Sequence, residues 1–287
     1  MDVLEKFKIE DLKKCSLTDI EITNIDLKGA DLRNATITGC TFHMINFSEA
    51  NIEDAVITNT KFIGCTFKDA QMRKIKIYDS KFKQCNFDKA KFHYGDISFN
   101  KFDICDFDHT DLGECNIKNN TFDKCYFAQT NLSGSSFVNG KFNSCYFTGC
   151  YTKCTNFSGS IVNKTTYTYC NFKYSRFNGV EFDKTLIVSS NLSGCSFEGT
   201  SFKHIELRNT ITEHTGIVSF NFGKYTAYYI PWDNLMLIGC ESHYLDIWIK
   251  FYNTIGKTHY LPDFDIKMFG KFMEICEEIH NEKKYDL

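Results

Sequence analysis

The chain is poor in several features that would steer a reading elsewhere. Two prolines in 287 residues argue against Pro-rich linkers between separate units. No run approaches the roughly 20 consecutive apolar residues that span a bilayer. The first residues, Met1-Asp2-Val3-Leu4-Glu5-Lys6, lack the apolar core of a secretory signal. The expectation is therefore a soluble, cytoplasmic protein with no membrane partner. Charge is also scarce in net terms: −3 at neutral pH implies neither nucleic acid nor an acidic substrate from bulk electrostatics.

Phenylalanine and cysteine are abundant instead, at 28 and 14 residues. Counted without regard to place, so many cysteines suggest disulfides or zinc. Their places decide otherwise. Read every fifth residue from Leu12, through Leu17, Ile22, Leu27, Leu32, Ile37, Phe42 and Phe47, and the series stays apolar to Leu207 except at Thr152. The residue two before each centre is mostly small, as at Ala30, Ala35, Cys40, Ala50, Ala55, Thr60 and Cys65. A fixed short period of this kind is the mark of a solenoid.

The combination, plain in Ala30-Asp31-Leu32-Arg33-Asn34 and Ala50-Asn51-Ile52-Glu53-Asp54, resembles the A(D/N)LXX motif of the pentapeptide-repeat family over about residues 10 to 210. The resemblance implies a mainly β fold: a right-handed quadrilateral β-helix of about ten coils, with one pentapeptide per side. The sequence tests this independently, because residues 20 apart should then stack. Phe42, Phe62, Phe82, Phe102, Phe122 and Phe142 form one column, Phe47 to Phe147 the next, and Ile37, Ile57, Ile77, Ile97 and Ile117 a third. Coils should sit about 4.8 Å apart, the spacing of paired strands. Eleven cysteines take the small inward position, with Cys65, Cys85, Cys105, Cys125 and Cys145 in one ladder. There they read as small buried hydrophobes, in a reducing compartment.

The expected division is an N-terminal cap over 1–11, the β-helix over 12–210 and a C-terminal α+β capping or dimerisation module over 211–287. In the last, strands are expected over 217–222, 225–230 and 235–238, and helices over 245–252 and 265–282. The helix over 265–282 is a candidate homodimer surface. Gly223-Lys224-Tyr225-Thr226-Ala227-Tyr228, Ile238-Gly239-Cys240-Glu241-Ser242-His243 and Trp248 resemble the C-terminal module of phage-carried pentapeptide proteins, which implies a phage or prophage origin and a bacterial host.

Function is expected from presented surface. Outward tyrosines Tyr126 and Tyr146 lie 20 apart, with Tyr151, Tyr169 and Tyr174 around the neighbouring corner; tyrosine suits protein interfaces, with its apolar body and polar tip. The repeat is expected to falter beside them, at the polar centre Thr152. Lys61, Lys81, Lys101 and Lys141 make a basic stripe interrupted by Thr121, flanked by Asp79, Asp103 and Asp106. Direct nucleic-acid binding is not expected from so little positive charge. Family members that mimic DNA and inhibit topoisomerases such as gyrase suggest an alternative. The acidic column Asp11, Asp31, Asp111 is interrupted here by Asn51, Gln71, Lys91, Asn131 and Asn171, which weakens it. A structural virion component is a further alternative. Cys240 and His243 form no catalytic or zinc motif with His214, His259 or His280, so no enzyme activity, cofactor or metal is expected. The leading expectation is a non-enzymatic module that binds and modulates a host protein.

Overall fold

The computed structural model describes residues 12–222, 225–239 and 241–283; the expected cap over 1–11 and the turn at 223–224 lie outside them. The chain winds as a four-sided parallel β-solenoid of about ten coils, followed by a four-stranded antiparallel sheet and two helices. We number the sides by their inward centres: side 1 from Leu17, side 2 from Ile22, side 3 from Leu27 and side 4 from Leu32.

The five-residue period works because each centre and each small residue two before it point inward, and both are buried along the rod. Phe62 and Phe82 stack at 4.8 Å and 2°, Phe67 and Phe87 at 4.9 Å and 9°. Rings on adjacent sides meet edge to face, as Phe62 and Phe67 do at 5.5 Å and 68°. Both are preferred ring geometries. The corner residue, two after each centre, has positive φ, as at Asn34 (58°), Asp54 (56°) and Gly194 (67°). Glycine, Asn and Asp tolerate that region best.

Polar residues in the small inward position are satisfied between coils. Ser80 N–H donates to Asn100 Oδ1 (2.9 Å), Asn100 N–H to Asn120 Oδ1 (2.7 Å), and Asn120 Nδ2 to the Ile97 carbonyl (2.6 Å). The cysteine ladder does the same more weakly: Cys65, Cys85 and Cys105 Sγ donate to the Phe42, Phe62 and Phe82 carbonyls, each at 3.5 Å. All described cysteines are free. Burial pushes the Cys115 and Cys195 thiols up to about 12 and raises Cys85 and Cys125 strongly, so these thiols are un-ionised at neutral pH.

The four sides are not equivalent. Side 2 is strand in all ten coils, from Glu21–Thr23 to Ser201–Lys203. Side 1 is strand only as far as Asp96–Ser98, and side 3 only from Tyr126–Ala128 onward. Elsewhere, and along all of side 4, coils join by single β-bridges.

The expected break at Thr152 does not occur. Thr152 is fully buried as an ordinary centre, and its N–H donates to the Asn171 carbonyl at 3.0 Å. Tyr151 bridges Asn131 below and Asn171 above. The backbone ladder does not depend on the side chain at the centre, so a polar residue there leaves the coil intact. What Thr152 does leave is a buried Oγ1 with no partner, as Tyr167 Oη also is.

After the last coil come strands Val218–Phe222, Tyr225–Ile230, Leu235–Ile238 and Glu241–Tyr244, the fourth unforeseen from sequence. The two central strands of this sheet, Tyr225–Ile230 and Leu235–Ile238, are buried on both faces. Tyr228, Ile230, Leu235 and Leu237 join the solenoid core, while Ala227, Tyr229, Met236 and Ile238 pack under the helices. Burial on both faces explains why these strands read as continuous apolar runs rather than alternating ones.

Helix α1 (Leu245–Thr258) runs beyond the expected 252, and α2 (Asp263–Lys283) closes over it. Within the extension, a Cβ at Gly256 would lie 2.8 Å from Ile266 Cγ1, so glycine there admits α2 closely. Trp248 Nε1 donates to the Met236 carbonyl at 3.0 Å. The apolar stripe of α2, Ile266, Phe269, Phe272, Met273 and Cys276, is buried inside the module. The exposed apolar residues on this end include Tyr244, Ile247 and Phe251, at the start and along α1.

Candidate partner-binding surface

Tyr126 and Tyr146 stand on paired strands of side 3 in direct register, and their rings stack at 5.5 Å and 9°. Their amides donate to the Cys105 and Cys125 carbonyls at 3.0 Å. Thr166 follows them in the ladder. Tyr169 occupies the corner that leaves side 3, φ 54°, in the column of Gln129 and Gly149. Tyr151 lies on side 4, and Tyr174 at the corner beyond it, φ 63°. A Cβ at Gly194 would meet the Tyr174 ring at 2.5 Å, so glycine there makes room for that ring along the corner, and Lys173 Nζ sits 5.3 Å from its centroid.

All five tyrosines are exposed, from 47% at Tyr146 to 67% at Tyr169. None of their hydroxyls has a hydrogen-bond partner among the described residues. The patch thus wraps sides 3 and 4 on a backbone held by the inter-coil ladder, which is what a pre-organised interface needs.

The lysines lie on side 2. Lys61, Lys81 and Lys101 are direct cross-strand neighbours in three successive coils, and Thr121 then separates Lys141. Lys83, beside Lys81 on the same strand, is also exposed. Lys61, Lys81 and Lys101 line one flank of a groove of about 190 Å³, and Ile63, Lys83 and Asp103, in direct register with one another, line the other.

Sequence reading missed a second set of exposed apolar side chains: Met44, Tyr94, Phe99 and Ile104, from 41 to 60% exposed. All four sit at positive-φ corners. The signal was available, because a large apolar residue two after a centre has nowhere to go but outward.

In the C-terminal module, Glu241 takes His243 Nε2 at 3.0 Å on one oxygen and His259 Nε2 at 3.1 Å on the other. The contact with His259 joins residues 18 apart through a strand and a helix, which no local spacing could announce. Cys240 lies outside the described residues. His214 is elsewhere, at the open end of the last coil. Among the described residues no group of three or more His, Cys, Asp or Glu is arranged to hold a metal ion. No described helix is long and apolar enough to cross a membrane.

Period, inward columns and inter-coil ladder define a quadrilateral β-solenoid built from five-residue units. The chain belongs to the pentapeptide-repeat family: the profile for pentapeptide repeats matches eight copies over residues 15–54, 101–139, 110–149 and 168–203. Among solved structures, similar chains include HetL from the cyanobacterium Nostoc sp. strain PCC 7120, a pentapeptide-repeat protein involved in heterocyst differentiation regulation. It is 16% identical, with 69% of this chain and 90% of that one covered and a TM-score of 0.49. QnrB1, a plasmid-mediated fluoroquinolone resistance protein, is 15% identical, with 67% and 93% covered and a TM-score of 0.31. Among curated proteins no sequence matches the chain significantly.

Proposed function

We propose that this chain is a non-enzymatic, rigid protein-binding rod that docks and modulates a protein of a bacterial host through the tyrosines of sides 3 and 4. The observation that carries the reading is the registered, stacked pair Tyr126–Tyr146, exposed with free hydroxyls beside Tyr151 and Tyr169. Aromatic side chains with one polar atom give large contact area for little lost rotamer freedom, and they dominate interface energetics. A surface fixed by backbone ladders loses little further entropy on binding. The likeness of the C-terminal segment to phage-carried proteins supports a mobile-element origin.

The sheet and helices after the last coil serve in this reading as its cap, hiding strand edges that would otherwise pair with other chains. With the apolar face of α2 used internally, a homodimer would form through Tyr244, Ile247 and Phe251. Light scattering showing that Phe251→Glu leaves a dimer intact would remove that contact. The experiment for the main reading is affinity purification from host cells with mass spectrometry, comparing the native chain with Tyr126→Ser/Tyr146→Ser. The variant should lose at least one protein that the native chain retains. Identical sets of retained proteins would sink the proposal.

A further inference from the structure

Side 2 carries a second surface, and the geometry points to its occupant: an extended acidic segment of a partner protein, lying along the lysine groove between Lys61 and Lys101. This rests on reading the rod as a protein-binding surface, but on different residues.

Three observations carry it. First, Lys61, Lys81 and Lys101 face one another across parallel strands in direct register, with Lys83 beside them. None of the four forms an ion pair among the described residues. Like charges directly opposite on a sheet are destabilising, so this ladder holds unneutralised positive charge over about 10 Å, two coil spacings. An anion is what it lacks.

Second, the charge is bounded. The column before the centres holds Thr41 on one end and Thr121 on the other, while the column after them ends in Asp103 and Asp123. A phosphodiester strand continuing along the rod would run its charges onto those carboxylates. A short acidic segment lying along the Lys61–Lys101 column keeps its carboxylates on the flank of the groove away from Asp103.

Third, apolar anchors flank the basic face. Phe99 occupies the corner that enters side 2 and Ile104 the corner that leaves it, on the same coil as Lys101. Both have positive φ, 63° and 54°, and stand 60% and 41% exposed. Positive φ is disfavoured for bulky side chains and most of all for a β-branched one. Most other corners carry glycine or a polar residue. Local strain retained at exposed apolar positions beside an unpaired charge ladder is expected of a binding face.

The segment that fits has carboxylates alternating with apolar side chains. In an extended chain the acids fall on one face, about 6.6 Å apart, within reach of flexible lysine stems, while Phe99 and Ile104 take apolar contacts at the edges. The probe is a fluorescein-labelled peptide of about five residues, Glu-Val-Glu-Val-Glu, whose three carboxylates span about 13 Å and so match the ladder. Fluorescence polarisation at low salt should show saturable binding that weakens as salt is raised.

Lys61→Glu/Lys81→Glu/Lys101→Glu should weaken binding by roughly tenfold or more, and Phe99→Ser/Ile104→Ser by roughly threefold or more. The neutral triple Lys61→Gln/Lys81→Gln/Lys101→Gln should fall between native and reversed chains; it decides the matter should the reversed triple fail to fold by circular dichroism. A charge-matched control, Lys153→Glu/Lys203→Glu/Lys267→Glu, should stay within about twofold of native, as expected for charges away from the contact. Equal binding of a Gln-for-Glu peptide would overturn the proposal. So would tighter binding of a single-stranded oligonucleotide of equal charge, or indifference to the lysine variants. The tyrosine variants leave side 2 untouched, so failure here with tyrosine-dependent capture intact removes only this surface.

Discussion

The fully buried centre Thr152 offers a test of the fold in which two similar substitutions should act with opposite sign. Thr152 Oγ1 has no hydrogen-bond partner, whereas Thr155 Oγ1, three residues on and equally buried, donates to the Leu132 carbonyl at 2.8 Å. Burying an unpaired hydroxyl costs about 1–3 kcal/mol in proteins. Thr152→Val removes that penalty at nearly constant volume and puts a methyl group into an apolar column, so it should stabilise by about 1–3 kcal/mol. Thr155→Val removes a satisfied hydroxyl and should destabilise by about 0.5–1.5 kcal/mol. The Leu132 carbonyl keeps the Ser135 N–H at 3.1 Å, which holds that loss to the low range. Urea unfolding followed by circular dichroism reads both; at about 3 kcal/mol/M the midpoint should rise by roughly 0.3–1 M for Thr152→Val and fall for Thr155→Val. Were the coil broken and wet at Thr152, its hydroxyl would be hydrated and valine there would not help. Equal signs for the two variants would therefore refute the continuous coil.

Three further outcomes are expected. In the native chain a thiol reagent should react promptly with exposed Cys154 and slowly with half-buried Cys15, while the Cys65–Cys145 ladder reacts only after unfolding; prompt reaction across the ladder would contradict its burial. Burial and donation to Asp96 Oδ2 at 2.8 Å raise Tyr78 to about 12, so its folded pKa lies above the unfolded value near 10. Its contribution to stability is then full below pH 10 and lost as pH rises through 12, and Tyr78→Phe should delete a phenolate component near 12 from an ultraviolet titration. Tyr228 Oη accepts the Thr210 N–H at 2.8 Å and donates to the Thr210 carbonyl at 3.1 Å, standing in for the coil that would come next. Tyr228→Phe strands both groups and should cost about 1–3 kcal/mol, read as faster hydrogen exchange at Thr210; unchanged exchange would show the contact to be idle.

The fold was legible because five-residue periodicity fixes both the inward column and the side on which each residue falls. The twenty-residue stacking of Phe42, Phe62 and Phe82 already contains the four sides. Thr152 misled because polarity at a centre reads as a break, while the ladder through its N–H is indifferent to the side chain. Phe99 and Ile104 were readable in principle, since a residue two after a centre turns outward at the corner. The fourth strand of the terminal sheet and the Glu241–His259 contact were not readable, because they arise from packing between segments that share no period. The close approach of Ile266 to Gly256 is likewise a contact between helices that no period announces.

The lysine column and the Tyr126–Tyr146 pair sit where strand pairing is continuous. Lysines occupy side 2, strand throughout, and Tyr126 and Tyr146 open the sheet of side 3. Outward residues on paired strands keep their lateral register from coil to coil, so a partner meets columns whose relative placement is set by residue count. Inserting one pentapeptide between Thr110 and Asp111 advances everything after it by one side, carrying Tyr126 and Tyr146 from side 3 to side 4 while Lys61, Lys81 and Lys101 stay on side 2. Inserting a whole coil of four pentapeptides restores the sides and lengthens the rod by only about 4.8 Å. Each surface remains internally intact in both insertions, so acidic-peptide binding should persist in both. Engagement of one partner by both columns predicts that its capture survives the four-repeat insertion and fails with the single repeat. Equal capture by the two would mean that lysines and tyrosines serve separate partners.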